Sequence, residues 1–122
     1  MSHTVTVAVK MTNREALMAA AQHLHLECLP ERDHRIYSGT YHGMGFQLKD
    51  WNYPVIINPE TGDAKYDNFG GNWGKQDMLD ELVQRYGIEV ARLEAEASGY
   101  CFSEERADNG DVVCTLEQFA TT

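Results

Sequence analysis

With 122 residues, 43% hydrophobic and 24% charged, the chain is long enough for one ordinary core and too short for two, so residues 1–122 are expected to form a single domain. Ten Lys and Arg against nineteen Asp and Glu give a formal charge of −9, which argues against direct nucleic-acid binding, because phosphate contacts need cations to displace counterions. No uninterrupted apolar run suggests a signal peptide or a membrane span, so a cytoplasmic setting without membrane contact is expected.

Thr4 to Met11 alternates, with Val5, Val7, Val9 and Met11 on one side, as a half-buried strand does. Thr12 with Glu15 three residues on has the spacing of a capping box, and Ala16, Leu17, Ala20, Ala21 and Leu24 then recur at helical intervals. From Leu26 to Asn58 the period falls to two, with strands predicted over Arg35–Tyr41, Met44–Leu48 and Tyr53–Ile57, separated by Gly43, Gly45 and an Asp50-Trp51-Asn52 corner. The run NPETGD reads as a hairpin connection, with φ preset at Pro59 and Gly62 free to take positive φ, and Asp63–Tyr66 as the returning strand.

Between Lys75 and Ala97 the apolar residues Leu79, Leu82, Val83, Tyr86, Val90, Leu93 and Ala97 step by three and four, predicting a long amphipathic helix. Its outward face would carry Asp80, Glu81, Arg85, Glu89, Arg92 and Glu96, Gly87 would mark a kink or a close packing point, and Ser98-Gly99 would stop it. Tyr100 to Phe119 then reads as a hairpin around Asn109-Gly110, which would set Cys101 opposite Gln118. Together these elements predict an α+β fold: a single antiparallel sheet with two helices on one face, in the order strand, helix, three or four strands, helix, two strands.

The glycine-rich stretch YDNFGGNWGKQDMLDEL is not a phosphate loop. Gly70 to Gly74 is one residue too short, Gln76 stands where a hydroxyl would hold magnesium, and Asp77, Asp80 and Glu81 would repel phosphate. The glycines are expected to turn the chain from strand to helix, with Phe69 and Trp73 packed against the sheet. His23, His25, Glu27 and Cys28 are the most ligand-like cluster, with His34 and His42 near in sequence. A histidine at a helix C-terminus is nevertheless favoured without any metal, so no metal and no cofactor is expected and His23 and His25 stand only as candidate ligands. Cys28, Cys101 and Cys114 form no CxxC pair and read as reduced structural thiols. Glu104 and Glu105 lie in a predicted strand and point to opposite faces.

The second half, from YPVIINPETGDAKYDNFGGNWGKQDMLDELVQRYGIEVARLEAEASGY through Glu104-Glu105 to DNGDVVCTLEQF, resembles the domain-of-unknown-function family that includes the plastid conserved reading frame thirty-five protein and its cyanobacterial and phage relatives. Gln84, Arg85, Tyr86, Gly99, Tyr100, Glu104 and Asn109-Gly110 match the family pattern, as does the opening Met1-Ser2-His3, whereas Pro30 to Lys49 departs from it. The resemblance implies no catalytic residues. It implies companionship with AAA-type ATPases and a bacterial, phage-infected or plastid-stroma-like compartment.

Three functional readings are open on these grounds. The first is a non-enzymatic binding or adaptor protein, with an AAA-type ATPase as a candidate partner, acting through Asp77, Asp80, Glu81, Arg85 and Glu89 on the long helix or through an aromatic corner of Trp51, Tyr53, Phe69 and Trp73. The second is a phage-type acidic inhibitor that occupies the groove of a basic nucleic-acid-binding protein. The third is a small metal protein or enzyme centred on His23 and His25.

Overall fold

The computed structural model describes residues 5–6, 10–109 and 111–118. The elements run β1 (Val5–Thr6), α1 (Arg14–His23), β2 (Glu27–Ile36), β3 (Gly39–Gln47), β4 (Val55–Asn58), β5 (Asp63–Tyr66), a short 3-10 turn (Phe69–Gly71), α2 (Gln76–Ala97), β6 (Tyr100–Arg106) and β7 (Val112–Gln118). The fold is α+β, as the periodicities predict. One antiparallel sheet has the strand order β1-β5-β4-β3-β2, and the C-terminal hairpin pairs with itself as a second, two-stranded sheet. Of the strand predicted over Thr4–Met11, Thr4 and Val7 to Val9 lie outside the described residues, as do Met1-Ser2-His3, Gly110 and Phe119.

One face of the main sheet makes the core. Met44 pairs with Ile57, Phe46 with Val55 and Ile57 with Ala64, so all five side chains point the same way. Ala16, Leu17, Ala20 and Ala21 of α1 and Leu79, Leu82 and Tyr86 of α2 belong to the same buried cluster, which places both helices on that face. The alanines of α1 let the helices approach closely, and each large core side chain contributes about 2–5 kcal/mol against truncation.

The start of α1 differs from the capping-box expectation. Asn13, not Thr12, is the N-cap: its backbone is extended and its side chain accepts from the Ala16 amide, and Asn caps at least as well as Thr. The Asn13 amide in turn donates to the Tyr86 hydroxyl at 3.1 Å, tying α1 to α2. At the other end His25 takes φ +57 and the Leu26 amide donates to the Ala21 carbonyl, a left-handed helix stop of the kind glycine usually makes.

The strand predicted over Arg35–Tyr41 is instead a hairpin end: β2 stops at Ile36, which pairs with Gly39 across Tyr37-Ser38. Neither of the two turn residues is a glycine or an asparagine. It is held by a distant group, the Asp67 carboxylate, which accepts from the Ser38 amide at 2.8 Å. The NPETGD turn matches its prediction, with Asn58 paired to Asp63 and Gly62 at φ +80. The Ser98-Gly99 stop also stands where expected.

β3 changes its pairing along its length. It pairs with β4 only over Met44–Phe46, while its first half pairs with β2 alone. At the junction a Cβ on Gly43 would lie 2.5 Å from the Ile57 carbonyl oxygen, closer than real atoms approach. Gly87 is the opposite case. It is exposed on α2 and a Cβ there would meet nothing within 4 Å, so the close packing point expected at this glycine is absent.

Two alanine substitutions should therefore move stability in opposite directions. Gly43→Ala should cost about 1–3 kcal/mol through overpacking, and Gly87→Ala should add about 0.5–1 kcal/mol through helix propensity. Urea midpoints of the two variants against the parent check both signs.

Candidate functional site

The first turns of α2 gather the acidic candidates. Residues spaced by three and four share a helix face, and with Leu79 and Leu82 turned into the core the exposed side carries Asp77, Asp80, Glu81 and Gln84. These four, with Arg106 of β6, line an open groove of about 570 Å³ between α2 and the C-terminal hairpin. Carboxylates at this end complement the positive end of the helix dipole. Asp80 accepts from the Gln76 side chain at 3.0 Å. Among the described residues none of the three carboxylates is held in an ion pair.

Arg85 and Glu89 are not on that outward face. They are 6% and 4% exposed, because β6 lies over the middle of α2, something a helical period alone does not reveal. Arg85 grips Glu104 of β6 with two nitrogens at 2.7 and 2.6 Å, and its Nε donates to Glu89 at 2.9 Å. Arg92 closes the chain, donating to Glu89 at 3.0 Å and to Glu96 at 2.9 Å. Glu105, the next residue, is exposed on the other side of the strand, as expected.

The network shifts Arg85, Glu89, Arg92 and Glu104. Hydrogen bonding to Glu104, together with Glu89, drives the Arg85 guanidinium further up from an already high value. The Arg85 hydrogen bonds hold the Glu104 carboxyl below the usual range. Burial pushes Glu89 up, but Arg85 and Arg92 outweigh it and the carboxyl ends below its ordinary value. Each guanidinium lies between two carboxylates, Arg85 between Glu89 and Glu104 and Arg92 between Glu89 and Glu96, so the cluster joins α2 to the hairpin.

The aromatic corner divides in two. Trp51 is 5% exposed, with its ring edge-on to Tyr66 at 5.8 Å and its Nε1 donating to the Lys75 carbonyl, so it is a core residue with no face for a partner. Phe69 and Trp73 stack on each other at 4.9 Å. Tyr37 from the β2–β3 end and Tyr53 join them, at 5.2 and 5.7 Å from Trp73. Phe69 sits at φ +48 and is followed by Gly70 and Gly71 at φ +62 and +100. The glycines therefore serve the turn, in keeping with their reading as a strand-to-helix crossing.

The histidines are dispersed into separate tasks. His23 ends α1 and His25 stops it. The buried His34 donates to the Pro30 carbonyl at 2.7 Å, and His42 pairs with Asp33 at 2.9 Å. Among the described residues no group of three His, Cys, Asp or Glu side chains gathers as a metal site. The three thiols are free. Cys101 pairs with Glu117, not with Gln118, because the hairpin closes with the Ala107 amide on the Asp111 carbonyl and its loop is one residue longer than a two-residue turn. Burial raises the Cys28 thiol above its usual value.

Among the described residues no helix is long and apolar enough to cross a membrane. Comparison with protein-family models, with curated proteins and with solved structures gives no match to this chain.

The ion network carries its own signature. Arg85→Met should lower stability by about 3 kcal/mol, because Glu89 is left buried and charged, and adding Glu89→Leu should restore most of the loss; denaturant titration at neutral pH reads both. Glu89 and Glu104 are depressed carboxyls, so their contribution is complete above the ordinary value of 4.5 and disappears as pH falls through the lowered one. Stability should hold down to about pH 4.5 and drop below it, less steeply in Glu104→Gln.

Proposed function

We propose that this protein is a non-enzymatic binding or adaptor protein that engages a basic segment of a protein partner through the acidic groove of α2. The carrying observation is the row Asp77, Asp80 and Glu81, three exposed carboxylates on one helix face that line a single groove. A row of one sign on a rigid helix attracts and orients a cationic partner. The buried ionisable groups nearby, Arg85 and Glu89, are paired with each other and Arg85 also with Glu104 at the surface, which supports a binding role over a catalytic one.

Two partner classes suit the groove. An AAA-type ATPase is the class that the family resemblance implies. The second reading is an inhibitor of a basic nucleic-acid-binding protein, and the spacing of the carboxylates along one face, in a chain of formal charge −9, favours it. Competition by nucleic acid separates them, since only the second partner should release the protein when DNA or RNA is added.

A labelled oligolysine peptide tests the groove directly. Three exposed charge contacts of about 0.5 kcal/mol each amount to about tenfold in affinity. The variant Asp77→Asn/Asp80→Asn/Glu81→Gln should lose that factor at low salt, while Glu15→Gln/Glu60→Gln/Glu94→Gln, equal in charge, should stay close to the parent. Equal losses in both variants would mean that net charge, not the groove, attracts the peptide.

A further inference from the structure

The protein treats the edges of its strands unequally. β2, at one edge of the main sheet, carries Pro30, a bulge between Leu29 and Arg32, and the charges of Glu27, Glu31, Arg32, Asp33 and Arg35. These are the usual means of keeping a sheet edge from pairing with another chain. β1, at the other edge, is described over Val5–Thr6. β7 has none of these protections. Its run Val112-Val113-Cys114-Thr115-Leu116 is uncharged, free of proline and rich in β-branched residues, and Val113 and Leu116 are 52% and 53% exposed.

The register makes this edge available on both faces. Val112, Cys114 and Leu116 pair with Arg106, Glu104 and Phe102, so they share the side that faces α2, and Val113 and Thr115 occupy the other. Among the described residues β7 pairs with β6 alone, which leaves its outer backbone donors and acceptors unpaired by any strand. β6 is supported by α2 through Arg85 and Glu104, which leaves β7 as the outer strand of a two-stranded sheet. Asp111 precedes the apolar run and Glu117 follows it, so the edge presents an apolar centre between two acidic ends.

We propose that β7 captures an extended segment of a protein partner as a third strand, and that this segment is apolar and β-branched at its centre and carries Lys or Arg at both ends. Main-chain hydrogen bonds supply the pairing, as in other strand additions, and the basic ends meet Asp111 and Glu117. A second copy of the chain is the wrong occupant. Antiparallel pairing of β7 with itself about Cys114 would set Asp111 against Glu117 at each end, and like charges directly opposite oppose pairing. The inference rests on the reading of the protein as a protein-binding module but uses a surface other than the α2 groove.

The probe is the labelled peptide Lys-Val-Thr-Val-Thr-Val-Lys, titrated against the full chain by fluorescence anisotropy. The peptide Glu-Val-Thr-Val-Thr-Val-Glu should bind at least tenfold more weakly. A Lys-flanked peptide N-methylated at consecutive central residues, which has lost donors on both of its edges, should not bind. Hydrogen exchange should slow at residues 112–117 on binding, and Val113→Lys, a substitution at an exposed site, should abolish the complex while far-ultraviolet circular dichroism stays unchanged. The groove variant Asp77→Asn/Asp80→Asn/Glu81→Gln should bind this peptide as the parent does. Loss of binding in that variant would place the peptide in the groove and overturn the edge assignment while leaving the groove reading intact. Equal binding of the N-methylated peptide, or a concentration-dependent dimer with residues 112–117 protected in the absence of peptide, would also overturn it. An oligolysine peptide indifferent to the groove, beside normal capture of the Lys-flanked peptide, would remove the groove reading alone.

Discussion

The guanidinium of Arg85 is the joint between the two sheets of this protein. It sits in the middle of α2, nearly out of solvent, and is neutralised from one side by Glu89 on its own helix and from the other by Glu104 on β6. A buried cation is tolerated only when its counter-charges are in place. The hairpin is therefore a condition of α2 being able to bury that residue at all. The acidic groove has its far wall in Arg106, two residues beyond Glu104 on the same strand, and the free edge of β7 is held by pairing with β6. Both proposed contact surfaces inherit their geometry from this one ion cluster.

Most of the framework was legible in the sequence because it is local. The three-and-four spacing from Leu79 to Ala97 specified α2, and NPETGD specified the β4–β5 turn, since proline and glycine act within a few residues of themselves. The features that escaped depend on distant partners. Tyr37-Ser38 turns because Asp67 receives the Ser38 amide from 29 residues away. Arg85 and Glu89 carry charges that place them outside on any helical projection, and only the strand lying over α2 moves them inside. The alternation of β6 already separated Glu104 from Glu105, and that separation is the one local sign that one of them could reach the helix.

The candidate residues were sorted in the same way. Asp77, Asp80 and Glu81 remain a surface because, among the described residues, nothing later in the chain buries them. Trp51 was withdrawn into the core by Gly74: a Cβ there would lie 2.2 Å from the indole, so the absent side chain is the space the ring occupies. Tyr37, which the sequence offered no reason to single out, took its place beside Trp73 because the β2–β3 end is anchored to the loop after β5. The histidines scattered because His25 is spent on ending α1.

The hydrogen bond from the Asn13 amide to the Tyr86 hydroxyl has a consequence for the order of assembly. A helix of 10 residues is too short to persist on its own in water, and here an amide at its very entrance finds its acceptor 73 positions further along the chain. The entrance of α1 is thus satisfied only when α2 is in place: a group at one end of the short helix depends on a phenol in the middle of the long one.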